Sequence, residues 1–144
     1  MTKILVLYYS QTQNTEKMAE AVAEGAKSGK AEVELSYFVE AEDLGKYDAI
    51  IVGVPTYHHD VPQEMKSLFE DAAAKRINLK GKTGAVFGSF GWSGEAPKLV
   101  LEIIKNKFEM LVTEPPLLLM YTPDAKGLEA CRALGKRLSE SLIR

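Results

Sequence analysis

Three short apolar runs constrain the fold of this chain more than any other feature of its sequence. They are Ile4–Tyr9, Ala49–Val54 and Thr83–Phe90, and each is rich in β-branched or aromatic residues. A strand with one face in water alternates between apolar and polar residues, whereas a strand covered on both faces is apolar throughout. The three runs therefore predict the central strands of a parallel sheet that has helices on both sides.

Two further segments complete the predicted sheet at its edges. Glu32–Tyr37 alternates between polar and apolar residues, which is typical of an edge strand. The fifth strand is either Leu111–Thr113 or Leu117–Tyr121. Pro115 and Pro116 lie between these alternatives, and proline lacks the backbone N–H that a sheet ladder needs. Both alternatives remain open from the sequence.

Segments with helical periodicity separate the strands. The first helix is predicted over Glu16–Ala26, a second opens at Pro62, and Thr122 is the predicted N-cap of the last. The alternation of strands and helices predicts one α/β domain over residues 1–144, a doubly wound five-stranded parallel sheet of order 2-1-3-4-5. The apolar positions of the third and fourth helices are Leu99, Val100, Ile103, Ile104, Leu128, Cys131, Leu134, Leu138 and Leu142.

Composition excludes several classes of function. The net charge of −2 argues against a nucleic-acid partner, because neutralising phosphates requires clustered Lys and Arg. No apolar stretch approaches the roughly 18 residues of a membrane span. Cys131 is the only cysteine, so the chain forms no internal disulfide and suits a reducing compartment. The sequence therefore predicts a cytoplasmic protein without membrane or nucleic-acid contacts.

Six consecutive polar residues follow the first strand and open the first helix. All of them carry hydroxyl or amide groups: Ser10, Gln11, Thr12, Gln13, Asn14 and Thr15. The first N–H groups of a helix have no internal partner, and the helix dipole adds partial positive charge there. Such a segment suits a phosphate held by neutral donors. The alternative is simple helix capping by Thr12 or Asn14.

Two more loops should converge on the same edge of the sheet. One runs from Gly53 to Asp60 and carries Tyr57, and the other runs from Gly88 to Glu95 and carries Trp92. In open parallel sheets, ligands bind at the carboxyl ends of the strands where the strand order reverses. A phosphate site beside two aromatic side chains suits a mononucleotide with a flat ring, and FMN fits this description.

The loops resemble those of a known family. Residues 10–15 resemble the phosphate loop of short-chain flavodoxins, and Gly53-Val54-Pro55-Thr56-Tyr57 resembles their flavin loop. The segment Gly88-Ser89-Phe90-Gly91-Trp92-Ser93-Gly94 is similar to the flavodoxin domain of A-type flavoproteins, the flavodiiron proteins, as is the last helix with Cys131, Leu134 and Gly135. The resemblance covers essentially the whole chain and implies a flavodoxin-like fold that binds FMN.

The resemblance also implies a set of cofactor-binding residues and no catalytic residue. Tyr57 and Trp92 would flank the two faces of the flavin ring. The full set is Ser10, Gln11, Thr12, Gln13, Asn14, Thr15, Pro55, Thr56, Tyr57, His58, Ser89, Phe90, Gly91, Trp92, Ser93 and Gly94.

Two positions depart from the family pattern, since Gln13 and His58 stand where flavodoxins often have glycine. Gln13 is expected to avoid a left-handed backbone. His58 is expected to stabilise the one-electron-reduced flavin less than glycine would, because positive φ costs histidine more. The adjacent pair His58-His59 lacks a third ligand at a familiar zinc spacing, so no metal site is predicted.

Electron transfer is the predicted function. The chain would pass electrons between redox partners that dock transiently, such as a diiron flavoprotein or a ferredoxin, and would be a monomer or weak dimer. The alternative is an FMN-dependent NAD(P)H:quinone or flavin reductase, although such enzymes usually carry insertions that form a substrate pocket. A receiver domain is excluded because Tyr8-Tyr9-Ser10 replaces the acidic cluster after the first strand. A dinucleotide-binding domain is excluded because no G-x-G-x-x-G follows that strand.

Overall fold

A computed structural model of the chain describes residues 2–9, 13–29, 31–37, 39–55, 62–90, 95–120 and 123–142. Strands and helices alternate along it. A 3₁₀ helix at Ala41–Lys46 stands between the second and third strands, and a π-helical turn at Ile103–Lys107 extends the third helix. The strands are β1 (Lys3–Tyr8), β2 (Glu32–Ser36), β3 (Ala49–Gly53), β4 (Thr83–Phe90), β5 (Leu111–Val112) and β6 (Leu117–Met120), and the helices are α1 (Gln13–Lys27), α2 (Gln63–Ala74), α3 (Glu95–Glu102) and α4 (Ala125–Leu142).

The sheet has the predicted order. Its strands run β2-β1-β3-β4-β5, and every pairing is parallel. All five residues of β3 are buried, as are the middle residues of β1 and β4, whereas β2 is half exposed at the edge. The continuous apolar runs thus form central strands covered on both faces, and the alternating segment forms an edge. The predicted fold class is confirmed.

Helices cover the two faces of the sheet as separate layers. On one face, Ile4 and Val6 of β1 join a core that includes Val22 of α1 and Leu138 of α4. On the other face, residues such as Leu5 pack with side chains from α2, α3 and the 3₁₀ helix. Successive side chains of a strand point to opposite faces, which is why neighbouring residues of β1 belong to different cores.

Both candidates for the fifth strand are strands. Leu111 pairs with Thr83 at the start of β4, and Leu117 pairs with Phe87 further along the same strand. The register of β6 against β4 is therefore shifted by two residues from the register of β5 against β4. Pro115 and Pro116 lie in the connection, where the missing N–H groups interrupt the ladder. The edge position beyond β4 is therefore shared by β5 and β6, and the strand order stays as predicted.

The helix boundaries differ from the sequence predictions. Helix α1 begins at Gln13, so Asn14 lies inside its first turn and is not the N-cap. Helix α4 begins at Ala125, and Asp124 caps it by accepting a hydrogen bond from the Gly127 N–H at 2.7 Å. Thr122, the predicted N-cap, lies outside the described residues.

The apolar face of the third helix also differs in one residue. Val100 and Ile104 are buried as predicted, but Leu99 is 38% exposed. Leu99 faces a groove between α2 and α3 instead of the core. In α4, Cys131, Leu134 and Leu138 are buried as predicted.

Candidate functional site

Strands β1 and β3 end side by side at one edge of the sheet, and the neighbouring β4 continues from there to Phe90. Tyr8 of β1 lies beside Gly53 of β3, and Gly53 lies beside Phe87 of β4. The Tyr9 N–H donates to the Gly53 carbonyl at 3.0 Å. The Val54 N–H donates to the Phe87 carbonyl, also at 3.0 Å. The three segments that follow these strands therefore start from adjacent points, as expected for a site at the carboxyl ends of parallel strands.

The structure describes part of the predicted cofactor-binding set. Thr15 and Ser89 are brought into direct contact, and Pro55 and Phe90 follow β3 and end β4 respectively. The described members are Gln13, Asn14, Thr15, Pro55, Ser89 and Phe90. The members that lie outside the described residues are Ser10, Gln11, Thr12, Thr56, Tyr57, His58, Gly91, Trp92, Ser93 and Gly94.

Helix α1 offers an anion-binding end at this edge. Gln13, Asn14 and Thr15 form its first turn, where backbone N–H groups have no partner within the helix. Among the described residues, only Arg76 and Glu109 combine a side chain with positive φ. Gln13 therefore avoids the left-handed region, as the sequence predicted.

A buried hydrogen bond joins this helix end to β4. The Thr15 hydroxyl lies 3.0 Å from the Ser89 hydroxyl, and 74 positions separate the two residues in the chain. Thr15 is 0% exposed and Ser89 is 6% exposed. Two polar side chains rarely occupy such a place unless they satisfy each other, because an unpaired buried hydroxyl is costly. The bond links the first of the three converging segments to the third.

Two glycines allow the strand ends to approach closely. A Cβ on Gly88 would lie 2.1 Å from the Val54 carbonyl oxygen, and a Cβ on Gly53 would lie 2.3 Å from the ring of Phe87. Contacts below 3.0 Å are not tolerated by real side chains. In the sequence these glycines mark the start of two loops, and their packing role was not predicted. A glycine at the end of a buried strand was the available signal.

Comparison with known proteins identifies the family. Residues 6–135 match the family described as Flavodoxin. The chain is 37% identical over 161 residues to a flavodoxin of Aquifex aeolicus, covering 97% of this chain and 86% of that protein. The solved structure of a flavodoxin from the domain Archaea superposes with a TM-score of 0.91 at 35% identity, over 99% of this chain and 100% of the other. This chain belongs to the flavodoxin family.

Other relatives share only part of their length with this chain. It is 35% identical over 147 residues to the type A flavoprotein fprA of Rhodobacter capsulatus, which covers 96% of this chain but 33% of that protein. The chain thus spans about a third of the length of that type A flavoprotein. It is also 38% identical over 113 residues to an NAD(P)H dehydrogenase (quinone) of Acidovorax ebreus, covering 62% of this chain and 56% of that enzyme.

Flavodoxins are electron-transfer proteins that bind FMN, and the described residues of this flavodoxin fit that cofactor. The first turn of α1 presents neutral donors, which suit a phosphate monoester. The Thr15 hydroxyl adds a buried polar group at the same helix end. Ser89, near the end of β4, lies next to it, and β4 pairs with β3.

Carboxylates surround this edge of the flavodoxin. The helices that follow β1, β3 and β4 each have an acidic residue in their first turn, namely Glu16, Glu64 and Glu95. Acidic residues in a first turn are favourable for the helix dipole. Lys17, Lys66 and Lys98 lie within three residues of them, so these helix ends carry charges of both signs.

A cluster of tyrosines lies beside the first segment and was missed by the sequence analysis. The ring of Tyr37 lies 5.8 Å from the rings of both Tyr8 and Tyr9, and Tyr37 is 53% exposed. Burial and the charges of Glu16 and Glu20 raise the pKa of the Tyr8 phenol above its ordinary value. The pair Tyr8-Tyr9 at the end of a strand was the signal, since one of two successive strand residues must leave the core.

Cys131 is a packing residue, as predicted. It is 0% exposed in the core between α1, α4 and the sheet. Burial raises the pKa of its thiol from 9.0 to about 11, with the charge of Arg132 opposing part of the shift. A thiol is reactive as the thiolate, so this cysteine is kept in its inert form.

The described part of the chain holds neither a metal-binding cluster nor a membrane-spanning helix. No group of three or more His, Cys, Asp or Glu able to hold a metal ion occurs there. His58 and His59 lie outside it, so the prediction that they bind no metal stays a prediction. None of the helices in the described ranges has the length and apolar character needed to cross a membrane.

Proposed function

We propose that this flavodoxin is an electron carrier, a single FMN-binding domain over residues 1–144 that exchanges electrons with other redox proteins. The observation that carries the proposal is the convergence of three strand ends beside the first turn of α1, with the Thr15–Ser89 bond joining them. FMN supplies the redox chemistry when it is bound. The protein supplies binding, orientation and a charged surrounding.

The two ends of the cofactor would be held by different groups. At the phosphate end, the hydroxyl and amide side chains of Ser10, Thr12, Asn14 and Thr15 would act together with the N–H groups of Gln11 and Gln13. At the ring end, Tyr57 and Trp92 would cover the two faces, and the segment 91–94 would reach the pyrimidine edge. Thr56 would shape its loop and contact the ribityl chain or the ring edge, and the remaining members of the set are Pro55, His58, Ser89 and Phe90.

Carboxylates in the first turns of α1, α2 and α3 support partners with positive docking groups. Glu16, Glu64 and Glu95 lie around the proposed cofactor site, and opposite charge steers transient redox partners into contact. A ferredoxin or a diiron flavoprotein would exchange electrons there through a small interface. A cytoplasmic location and a monomeric or weakly dimeric state belong to the same proposal.

A second candidate function is reduction of quinones or flavins by NAD(P)H. The observation that favours it is the similarity to the NAD(P)H dehydrogenase (quinone) of Acidovorax ebreus, which covers 62% of this chain. The carrier is the first choice because the flavodoxin of Aquifex aeolicus matches 97% of the chain. If the protein steadily oxidised NADPH or NADH in the presence of a quinone, the reductase would be the correct function and the carrier proposal would be wrong.

The experiment that tests the proposal starts from the visible spectrum of the purified protein. The expected result is an oxidised-flavin spectrum, with FMN identified after extraction, and stepwise bleaching by dithionite without oxygen. The reduced protein should then pass electrons to a basic acceptor such as cytochrome c, at a rate that falls as salt is raised. A colourless protein that also fails to bind added FMN would refute the proposal.

A further inference from the structure

The hydrogen bond between Thr15 and Ser89 has a direction, and the direction decides what each residue contributes. Each hydroxyl has one proton, so the bond uses one proton and leaves the other for a different acceptor. If Ser89 donates, the proton of Thr15 remains for a group at the N-terminus of α1. If Thr15 donates, the remaining proton belongs to Ser89 at the end of β4.

Position favours donation by Ser89. Thr15 lies in the first turn of α1, and side chains on a helix lean toward its N-terminus, so its hydroxyl lies with the N–H donors of that turn. Ser89 alternates along β4 with Ala85 and Phe87, which pack in the core beneath α1 and α4. Its hydroxyl is therefore directed at the helix from below, with 6% of the residue exposed.

We infer that Ser89 is a positioning residue for phosphate binding: its hydroxyl donates to Thr15 and thereby directs the Thr15 proton to the phosphate of the cofactor. The inference rests on the proposed function. A hydroxyl that accepts a hydrogen bond is a stronger donor, because hydrogen bonds in a chain polarise one another. Ser89 acts in this way through Thr15, whereas the resemblance implies a direct contact with FMN.

The test compares FMN with riboflavin, which has the same ring and no phosphate. Dissociation constants are measured from quenching of flavin fluorescence by the apoprotein. Ser89→Ala should raise the constant for FMN about tenfold and change that for riboflavin less than about twofold. Thr15→Val should lose at least as much FMN affinity. Adding Ser89→Ala to Thr15→Val should cause no further loss of FMN affinity, because the Thr15 hydroxyl that Ser89 would direct is already absent.

Matched variants separate this role from a structural one. Ser139→Ala removes another buried serine hydroxyl, from the same core but in α4, and should leave the ratio of the two constants unchanged. Thr15→Ser keeps the hydroxyl and should retain the preference for FMN. Ser89→Cys replaces the hydroxyl by a slightly larger and weaker donor and should give an intermediate loss, which also serves if Ser89→Ala does not fold.

The outcomes distinguish the inference from the function on which it rests. A wild-type protein that binds neither flavin would refute the proposed function itself. A wild-type protein that binds FMN, combined with equal losses of FMN and riboflavin in Ser89→Ala, would overturn the positioning role. The positioning role would also be overturned if Ser89→Ala lowered FMN affinity as much in the Thr15→Val protein as in the wild type. Ser89 would then act independently of Thr15.

Discussion

The two faces of the sheet are covered in different ways, and the α1–α4 face is the tighter one. There the backbones of the two helices touch. A Cβ on Gly25 would lie 1.9 Å from the Arg132 carbonyl oxygen, and a Cβ on Gly135 would lie 2.0 Å from the Val22 carbonyl oxygen. Small residues thus bring the two helix backbones together, and little room remains between them for any adjustment.

On the opposite face, large side chains keep α2 and α3 apart. A groove of about 410 Å³ lies between them and is lined in part by Phe69, Leu99 and Ile103. Phe69 reaches across to Phe108, with ring centroids 5.9 Å apart. Flexible contacts between side chains therefore replace the backbone contacts of the first face.

The difference divides the proposed cofactor site into two parts. The phosphate segment leads into α1, on the tight face, and the Thr15–Ser89 bond holds that helix to β4. The segments proposed to flank the ring lead into α2 and α3, on the looser face. We expect the position of the phosphate end to be set rigidly by helix packing, and the ring end to tolerate changes in the helices behind it.

The largest effect on stability should come from a methyl group placed in the close contact between α1 and α4. Gly135→Ala places a methyl group 2.0 Å from the Val22 carbonyl oxygen and 2.8 Å from the Ala26 nitrogen, so the helices must separate. We expect a loss of about 3 kcal/mol or more in the free energy of unfolding, measured with urea. Gly45→Ala is the control, because its Cβ would meet only Ile77, at 3.7 Å. Equal effects would contradict the comparison of the two faces.

A matched pair of leucines tests the same comparison with cavities. Leu134 of α4 is 4% exposed, whereas Leu99 of α3 is 38% exposed and borders the groove. Leu134→Ala should cost about 3 kcal/mol of unfolding free energy, and Leu99→Ala about 1 kcal/mol or less. Thermal melts of the two apoproteins would show the difference. A larger loss at Leu99 would mean that the groove is closed in solution.

The sheet was predictable from sequence because burial on both faces leaves a local mark, the continuous apolar run. The shared edge of β5 and β6 was not, since each piece is short and its pairing with β4 depends on distant residues. The loops of the proposed site were named from their polar and aromatic residues, and the roles of those residues stay predictions. The Thr15–Ser89 bond was not, because no local pattern reports a contact across 74 positions.

Titration of Cys131 offers a smaller test of the tight face. A thiol whose pKa rises from 9.0 to about 11 on folding binds its proton more firmly in the native state. Its contribution to stability is therefore complete below pH 9 and is lost as the pH rises toward 11. Relative to Cys131→Ala, the wild type should lose on the order of 2 kcal/mol of stability across this interval. Parallel stability curves for the two proteins would show that solvent reaches the thiol in the folded state.

The smallest expected effect lies at the end of α2, on the looser face. Arg76 has φ of 55°, and the helix ends there with the Ile77 N–H bonded to the Ala72 carbonyl and the Arg76 N–H bonded to the Ala73 carbonyl. This termination favours glycine at the left-handed position. Arg76→Gly should raise the free energy of unfolding by about 1 kcal/mol, because a left-handed backbone costs a residue with a Cβ more than glycine. Arg76→Ala removes the same charge but keeps the Cβ, so it should bring no such gain. Equal stabilisation by both variants would mean that the charge of Arg76, and not its backbone, limits the stability of this face.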